Sequence, residues 1–205
     1  GTGELIRAAD SGKMPTPAQL RRQAERLRSQ AQRLERLVTT VLDVSRIVQG
    51  RVKLFPEQID ASAAVREHCE RLREEAARAG STLELTCDDR IVGYFDRTRL
   101  EQIVDNLLSN AIKFGAGKPI DVTLAATPEM VSLTVHDRGM GIAKEDQARI
   151  FERFERAVSS RHYGGLGLGL WVVRQIVESM GGTIFVTSEL GRGSTFVVEW
   201  PRMTA

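Results

Sequence analysis

Between residues 17 and 49, apolar or small side chains fall at Leu20, Ala24, Leu27, Ala31, Leu34, Val38, Val41, Ser45 and Val48, in alternating steps of four and three. That spacing is the seam of a coiled coil or helical bundle. Leu37, Leu42, Val44 and Ile47 widen the stripe toward its end, which suits a bundle core better than a two-stranded seam. Thr16 and Pro17 supply an N-cap and a first helical residue, and Gly50 a stop. Residues 4–9 read as the tail of an earlier helix that turns back through residues 11–13. Such a hairpin is expected to pair with a second copy as a four-helix bundle, because its long apolar seam would otherwise stay exposed. A lone helix lying on the following domain is the alternative. The seam ends near residue 51, so residues 1–51 and 52–205 are expected to be separate domains.

After residue 52 the pattern changes. Short alternating runs predict strands at 54–59, 82–87, 91–95, 120–125, 131–136, 183–188 and 194–200. Helical stripes predict helices at 61–79, from Asp96 through 111, and from Gly167 to Met180, with Asp60 and Asp96 as caps. Hairpins are expected at residues 127–129 and 191–193. Strands joined by hairpins and interleaved with helices predict an α+β fold, a two-layer sandwich whose mixed, mostly antiparallel sheet is covered by helices.

Composition narrows the function without choosing it. Hydrophobic residues make up 41 % of the 205, and charged residues 27 %, which fits a packed chain. The 29 basic and 27 acidic residues leave a net charge of +2. That is too small to make nucleic acid or an anionic membrane the expected partner. No run approaches the ~18 apolar residues that cross a bilayer, and the first residues have no apolar leader core. Cys69 and Cys87 form no metal motif, so free thiols in a reducing, cytoplasmic setting are expected.

Four segments carry candidate chemistry. In Asn106-Leu-Leu-Ser-Asn110-Ala-Ile-Lys113-Phe114, the two amides lie one helical turn apart on one face, with Lys113 on the adjoining turn. Asparagine is a mediocre helix former. A pair set among leucines therefore reads as a polar site in an apolar surface, or as two structural asparagines bonded to backbone. An amide oxygen is a suitable Mg²⁺ ligand, and lysine neutralises phosphate. In Asp137-Arg-Gly139-Met-Gly141-Ile142, glycines permit close backbone approach and the carboxylate can accept from an exocyclic amine. A plain turn is the other reading. Gly164-Gly-Leu-Gly167-Leu-Gly169 opens a helix, whose free N–H groups favour anions. It is neither a P-loop nor a Rossmann fingerprint. Phe151 and Phe154 read as pins for a lid that runs to Tyr163, or simply as two residues packing on one helix face. Gly191-Arg-Gly193-Ser-Thr195 lies between the last two strands and reads equally as a hairpin with a glycine bulge.

In this order, the segments resemble the N, G1, F, G2 and G3 boxes of the catalytic and ATP-binding domain of sensor histidine kinases, within the wider Bergerat-fold ATPases. The resemblance covers about residues 52–201, and the preceding helix resembles the second half of that family's dimerisation hairpin. It implies a two-component kinase core that binds ATP and Mg²⁺, transfers the γ-phosphoryl group to a histidine, dimerises through the hairpin and passes phosphate to a response-regulator receiver domain. It implies catalytic roles for Asn106, Asn110 and Lys113, with Asn110 holding the metal. Lys113 would contact phosphate. Asp137 would bind the adenine amine, with Gly141 and Ile142 shaping the base pocket, and Gly139 and Phe114 would be among the cofactor-binding residues. Gly165, Leu166, Gly167 and Leu168 would wrap the phosphates. Thr195 would lie behind Asp137 near the base, and Arg161 would approach the γ-phosphate from the lid together with His162. Asn106 stands where ATP-hydrolysing relatives carry a general-base glutamate, and an amide cannot take a proton from water. That argues against a gyrase- or chaperone-type clamp, and the long bundle helix argues against serine-directed relatives.

One feature departs from the family. The acceptor motif, of the form HExxTPL, is missing. His68 has no adjacent acid, His136 lies in a strand and His162 in the lid. The acceptor is expected upstream of residue 1. A nucleotide-binding pseudokinase or interaction module without its own acceptor is the alternative.

Overall fold

A computed structural model describes residues 16–48, 53–115, 117–155 and 166–202. The chain divides into two compact units, one ending at Ser45 and one beginning at Arg46.

The first unit is the body of a 32-residue helix, α1 (Pro17–Val48). Its start is a reciprocal cap. The Gln19 N–H donates to Thr16 Oγ1 at 3.3 Å, and the Thr16 N–H donates to Gln19 Oε1 at 2.8 Å. Two donors that the first turn would leave unpaired are thereby satisfied. Leu20, Leu27, Leu34 and Val38, all seam positions, are 48–63 % exposed. No described helix is long and apolar enough to cross a membrane.

The second unit begins with β1 (Glu57–Asp60), α2 (Ala61–Arg78), β2 (Leu83–Cys87), β3 (Val92–Phe95) and α3 (Arg97–Phe114). It continues with β4 (Ile120–Ala126), β5 (Met130–Asp137), a 3₁₀ turn (Arg149–Phe151), α4 (Gly169–Ser179), β6 (Thr183–Glu189) and β7 (Gly193–Pro201). Five strands form one sheet in the order β2-β4-β5-β7-β6, parallel between β2 and β4 and antiparallel elsewhere. β1 and β3 pair antiparallel as a separate ribbon. This is the α+β sandwich the patterning predicts. Val131, Leu133, Val135 and Asp137 on β5 alternate with half-exposed residues, so one sheet face is covered by the helices. Leu100, Ile103, Val104, Leu107, Leu108 and Ala111 make one buried stripe on α3. Each fully buried leucine or isoleucine there is worth about 1.5–3 kcal/mol.

Several boundaries shift by one to three residues, two of them for plain local reasons. The strand expected from residue 54 starts at Glu57, because Pro56 has no N–H to give a ladder. The helix expected from Gly167 starts at Gly169, because Gly167 has a φ of 68° and cannot be helical.

Aspartate caps fix the helix starts. Asp60 Oδ1 accepts from the N–H groups of Ser62 at 3.0 Å, Ala63 at 3.4 Å and Ile91 at 3.3 Å, so it also ties α2 to the entry of β3. Asp60→Ala is expected to lower stability by about 1–2 kcal/mol, read as a lower denaturation midpoint with an unchanged slope. Asp96 Oδ1 accepts from the Arg99 N–H at 3.0 Å and its Oδ2 from the Phe55 N–H at 2.9 Å, holding the segment before β1 against α3.

Candidate functional site

The last two turns of α3 are the hub. Helical spacing puts Asn106 and Asn110 on one flank of the buried stripe, and both are half-buried. The Asn106 amide nitrogen donates to the Gln102 carbonyl at 2.9 Å. Its oxygen faces the opening of α4, where a Cβ on Gly169 would stand only 2.8 Å away. A side chain at 169 would therefore have to displace the Asn106 amide. The Asn110 amide has no hydrogen-bond partner among the described residues. Lys113 Nζ lies over the Phe114 ring, 4.5 Å from its centroid.

The second segment closes onto the end of this helix. Asp137 is 4 % exposed, and its Oδ1 accepts from the Gly139 N–H at 2.8 Å. Burial raises its carboxyl above the ordinary carboxylate range, opposed by the backbone N–H of Gly139, by His136 and by the backbone N–H of Ser194. A side chain at Gly139 would collide with the Phe114 carbonyl and Gly115. Gly141 has a φ of 69°, and any side chain there would strike the Glu189 carbonyl. These two glycines let the loop press against both α3 and the β6–β7 hairpin. The Met140 N–H donates to the Phe114 carbonyl at 3.3 Å, and the Gly191 N–H to the Met140 carbonyl at 2.7 Å. The Ile142 N–H donates to Ser188 Oγ at 2.8 Å. Gln147 Nε2 bridges the carbonyls of Ile142 at 3.1 Å and Ser188 at 2.8 Å.

The described ends of the lid segment meet at backbone. The Phe154 N–H donates to the Gly167 carbonyl at 3.0 Å. Leu168 is buried and Leu166 exposed. Only one of the two phenylalanines pins the segment to the core. Phe151 is buried and meets the Phe196 ring edge-on at 6.4 Å, whereas Phe154 is 58 % exposed with a φ of 67° and has the Arg153 guanidinium over its ring. The chain reverses through this left-handed residue, and the reversal swings the second ring away from the core. Gly164, Gly165, Arg161 and His162 lie outside the described residues.

The sheet register moves one expectation by a residue. Thr195 stands across from His136, not Asp137, and its hydroxyl is 2.9 Å from His136 Nδ1 on the open face of the sheet. Ser194 is the residue opposite Asp137, and it is 5 % exposed. Side chains alternate across a strand, so the neighbouring hydroxyl faces the other way. Ser188 and Gln147, which bond the 137–142 loop, and Ser194, which faces Asp137, are not singled out by the sequence pattern. The glycine bulge before Ser194 was the available signal, but it does not say which of two adjacent hydroxyls points inward.

The described histidines are engaged elsewhere. His68 on α2 has its Nδ1 2.9 Å from Arg71 Nη2 and its buried Nε2 3.6 Å from Asp105 Oδ1. The first nitrogen therefore accepts from the guanidinium. Among the described residues no cluster of histidine, cysteine or carboxylate side chains could hold a metal. Both cysteines are free, and burial pushes the Cys69 thiol up to about 11.

A mixed sheet covered by helices, with a glycine loop closing onto the end of α3, is the fold of the ATP-binding catalytic domains of histidine kinases. Residues 95–204 match the family described as histidine kinase-, DNA gyrase B-, and HSP90-like ATPase, and the chain belongs to that family. The circadian input-output histidine kinase CikA of Synechococcus elongatus is 34 % identical over 93 % of this chain and 26 % of its own length. The full-length ShkA structure, solved in complex with AMPPNP, superposes with a TM-score of 0.76 at 31 % identity, over 95 % of this chain and 41 % of ShkA. The Acinetobacter baumannii histidine kinase AdeS gives a TM-score of 0.71 at 25 % identity, over 98 % of this chain and 92 % of AdeS. The chain spans 14–30 % of the length of the first curated relatives it matches.

Proposed function

We propose that this chain is the ATP-binding core of a two-component protein-histidine kinase. It would transfer the γ-phosphoryl group of ATP to a histidine on the first helix of a dimeric hairpin, for relay to a receiver-domain aspartate. The observation that carries the reading is the buried Asp137 carboxylate closing a loop whose glycines leave no room for side chains and which presses on the end of α3.

In this reading Asp137 accepts from the exocyclic amine of adenine, and Gly139, Gly141, Ile142 and Phe114 shape the base pocket. Lys113 neutralises phosphate charge, and Gly165, Leu166, Gly167 and Leu168 form the phosphate loop with Arg161 nearby. Asn110 offers a hard amide oxygen, and among the described residues no cluster of carboxylates stands ready for a metal. That suits Mg²⁺ arriving with its nucleotide, since the ion keeps waters and phosphate oxygens and asks little of the protein. When bound, the ion supplies charge neutralisation of the phosphates. The residues of the chain orient the nucleotide, and positioning with electrostatic stabilisation supplies most of the catalysis. Asn106 carries no proton-accepting carboxylate, which favours transfer to a side chain over hydrolysis. The exposed seam of α1 is the surface for the second copy.

The test uses the protein that carries the first bundle helix with its histidine. Incubation with γ-labelled ATP is expected to give label that survives base and is lost in acid. Absence of label, with the histidine present and ATP bound, overturns the kinase reading. It leaves a nucleotide-binding interaction module, which the engagement of His68 and His136 favours for these residues taken alone.

A further inference from the structure

Ser188 on β6 forms three polar contacts at once. Its Oγ accepts from the Ile142 N–H at 2.8 Å, lies 2.7 Å from the Gly193 carbonyl and 3.0 Å from Ser194 Oγ. The directions of these bonds are fixed by elimination. A carbonyl can only accept, so the single Ser188 proton goes to Gly193. Ser188 then has one lone pair taken by Ile142 and one left. The Ser194 hydroxyl must therefore be the donor in the serine–serine contact.

This settles what Ser194 shows to the site. Its proton is committed backward to Ser188, so its oxygen can only accept on its other side. Ser194 is directly across the ladder from Asp137, on the same buried face. Opposed side chains in an antiparallel pair have Cβ atoms about 4.5–5.5 Å apart. The carboxylate and the hydroxyl oxygen are therefore neighbouring acceptors on this face, and the one donor that Ser194 offers the carboxylate is its backbone N–H.

We infer that Ser188 is a specificity-determining residue, which orients the Ser194 hydroxyl as an acceptor beside Asp137 so that the pocket takes a purine bearing an exocyclic amine and rejects one bearing a carbonyl at that position. The inference rests on the assignment of Asp137 to the base. An amine has two protons for the two acceptors. A 6-carbonyl purine would set a third acceptor against them, leaving buried groups unpaired, which is the costly outcome. Without Ser188 the Ser194 hydroxyl is free to rotate and donate to such a carbonyl.

The experiment measures ATP and GTP dissociation constants by calorimetry on the whole chain, with melting temperatures as a check on folding. Ser188→Ala is expected to lower the ATP-to-GTP preference about tenfold, chiefly by strengthening GTP, and Ser188→Thr to keep it. Ser194→Ala is expected to lower the preference as well. Adding Ser188→Ala to it is expected to change the preference no further, because Ser188 acts through Ser194. A folded Ser188→Ala chain with the parent's preference overturns the inference. Should Ser188→Ala not fold, an unchanged preference in Ser194→Ala overturns it equally. A parent chain that binds neither nucleotide overturns the ATP-binding reading itself, a result distinct from either.

Discussion

Asn110→Ala is expected to cut phosphoryl transfer by about 10²–10³, the usual loss when one preorganised group facing developing charge is removed. Asn110 is half-buried on α3, its amide has no partner among the described residues, and the neighbouring helix face is already filled by Leu107, Leu108 and Ala111. Alanine is a better helix former than asparagine, so the fold has no reason to weaken. The loss should therefore come with an unchanged or raised melting temperature. Single-turnover transfer of labelled phosphate, with nucleotide affinity measured in the presence and absence of Mg²⁺, checks it. Equal transfer rates in the variant and the parent would remove Asn110 from the metal role. Asn106→Ala probes something else, since that amide is bonded to Gln102 and faces Gly169.

Asp137→Asn is expected to weaken ATP binding about 10- to 100-fold while making the empty chain more stable at neutral pH. Removing the charge from a hydrogen bond to an ionised acceptor costs about 1.5–3 kcal/mol, and an amide nitrogen in place of one oxygen meets the adenine amine donor to donor. The stability gain follows from burial. Desolvation raises the Asp137 carboxyl in the folded chain above its unfolded value, against the opposing N–H groups of Gly139 and Ser194 and the neighbouring His136. Below the unfolded value the group is neutral in both states, and burial costs no charge. As pH rises through the folded value, the fold must hold a buried carboxylate and loses stability. The asparagine variant escapes that loss, so the two chains should converge in acid and separate toward neutrality. The same shift makes ATP affinity of the parent fall on acidification at a higher pH than an ordinary carboxylate would give. Denaturation midpoints and calorimetric affinities from acid to neutral pH test both halves. A variant that binds ATP as tightly as the parent removes Asp137 from the base pocket.

The Asp137 behaviour shows why the site is built as it is. A carboxylate at 4 % exposure is a poor choice for stability and, in the proposed reading, a good one for selecting a donor group. The surrounding loop supplies the compensation through the Gly139 and Ser194 N–H groups and the Ser188–Gln147 bonds that hold residues 137–142 on the β6–β7 hairpin.

Much of this architecture is legible in the chain alone. Thr16, Asp60 and Asp96 announce their helices because a short polar side chain before an apolar stripe has a local job, satisfying N–H groups within three residues of itself. Alternation announces β4, β5, β6 and β7, because each strand's two faces meet different media. The order of the asparagine, aspartate and glycine segments carries the family, since each is a local device whose chemistry its own residue types spell out. Tertiary structure alone decided which of Ser194 and Thr195 stands beside Asp137, that Phe151 and not Phe154 enters the core, and that β2 runs parallel to β4 at the sheet edge. Those outcomes depend on register and on partners distant in sequence. A one-residue shift along a strand exchanges its two faces, and only pairing across the whole sheet fixes that shift.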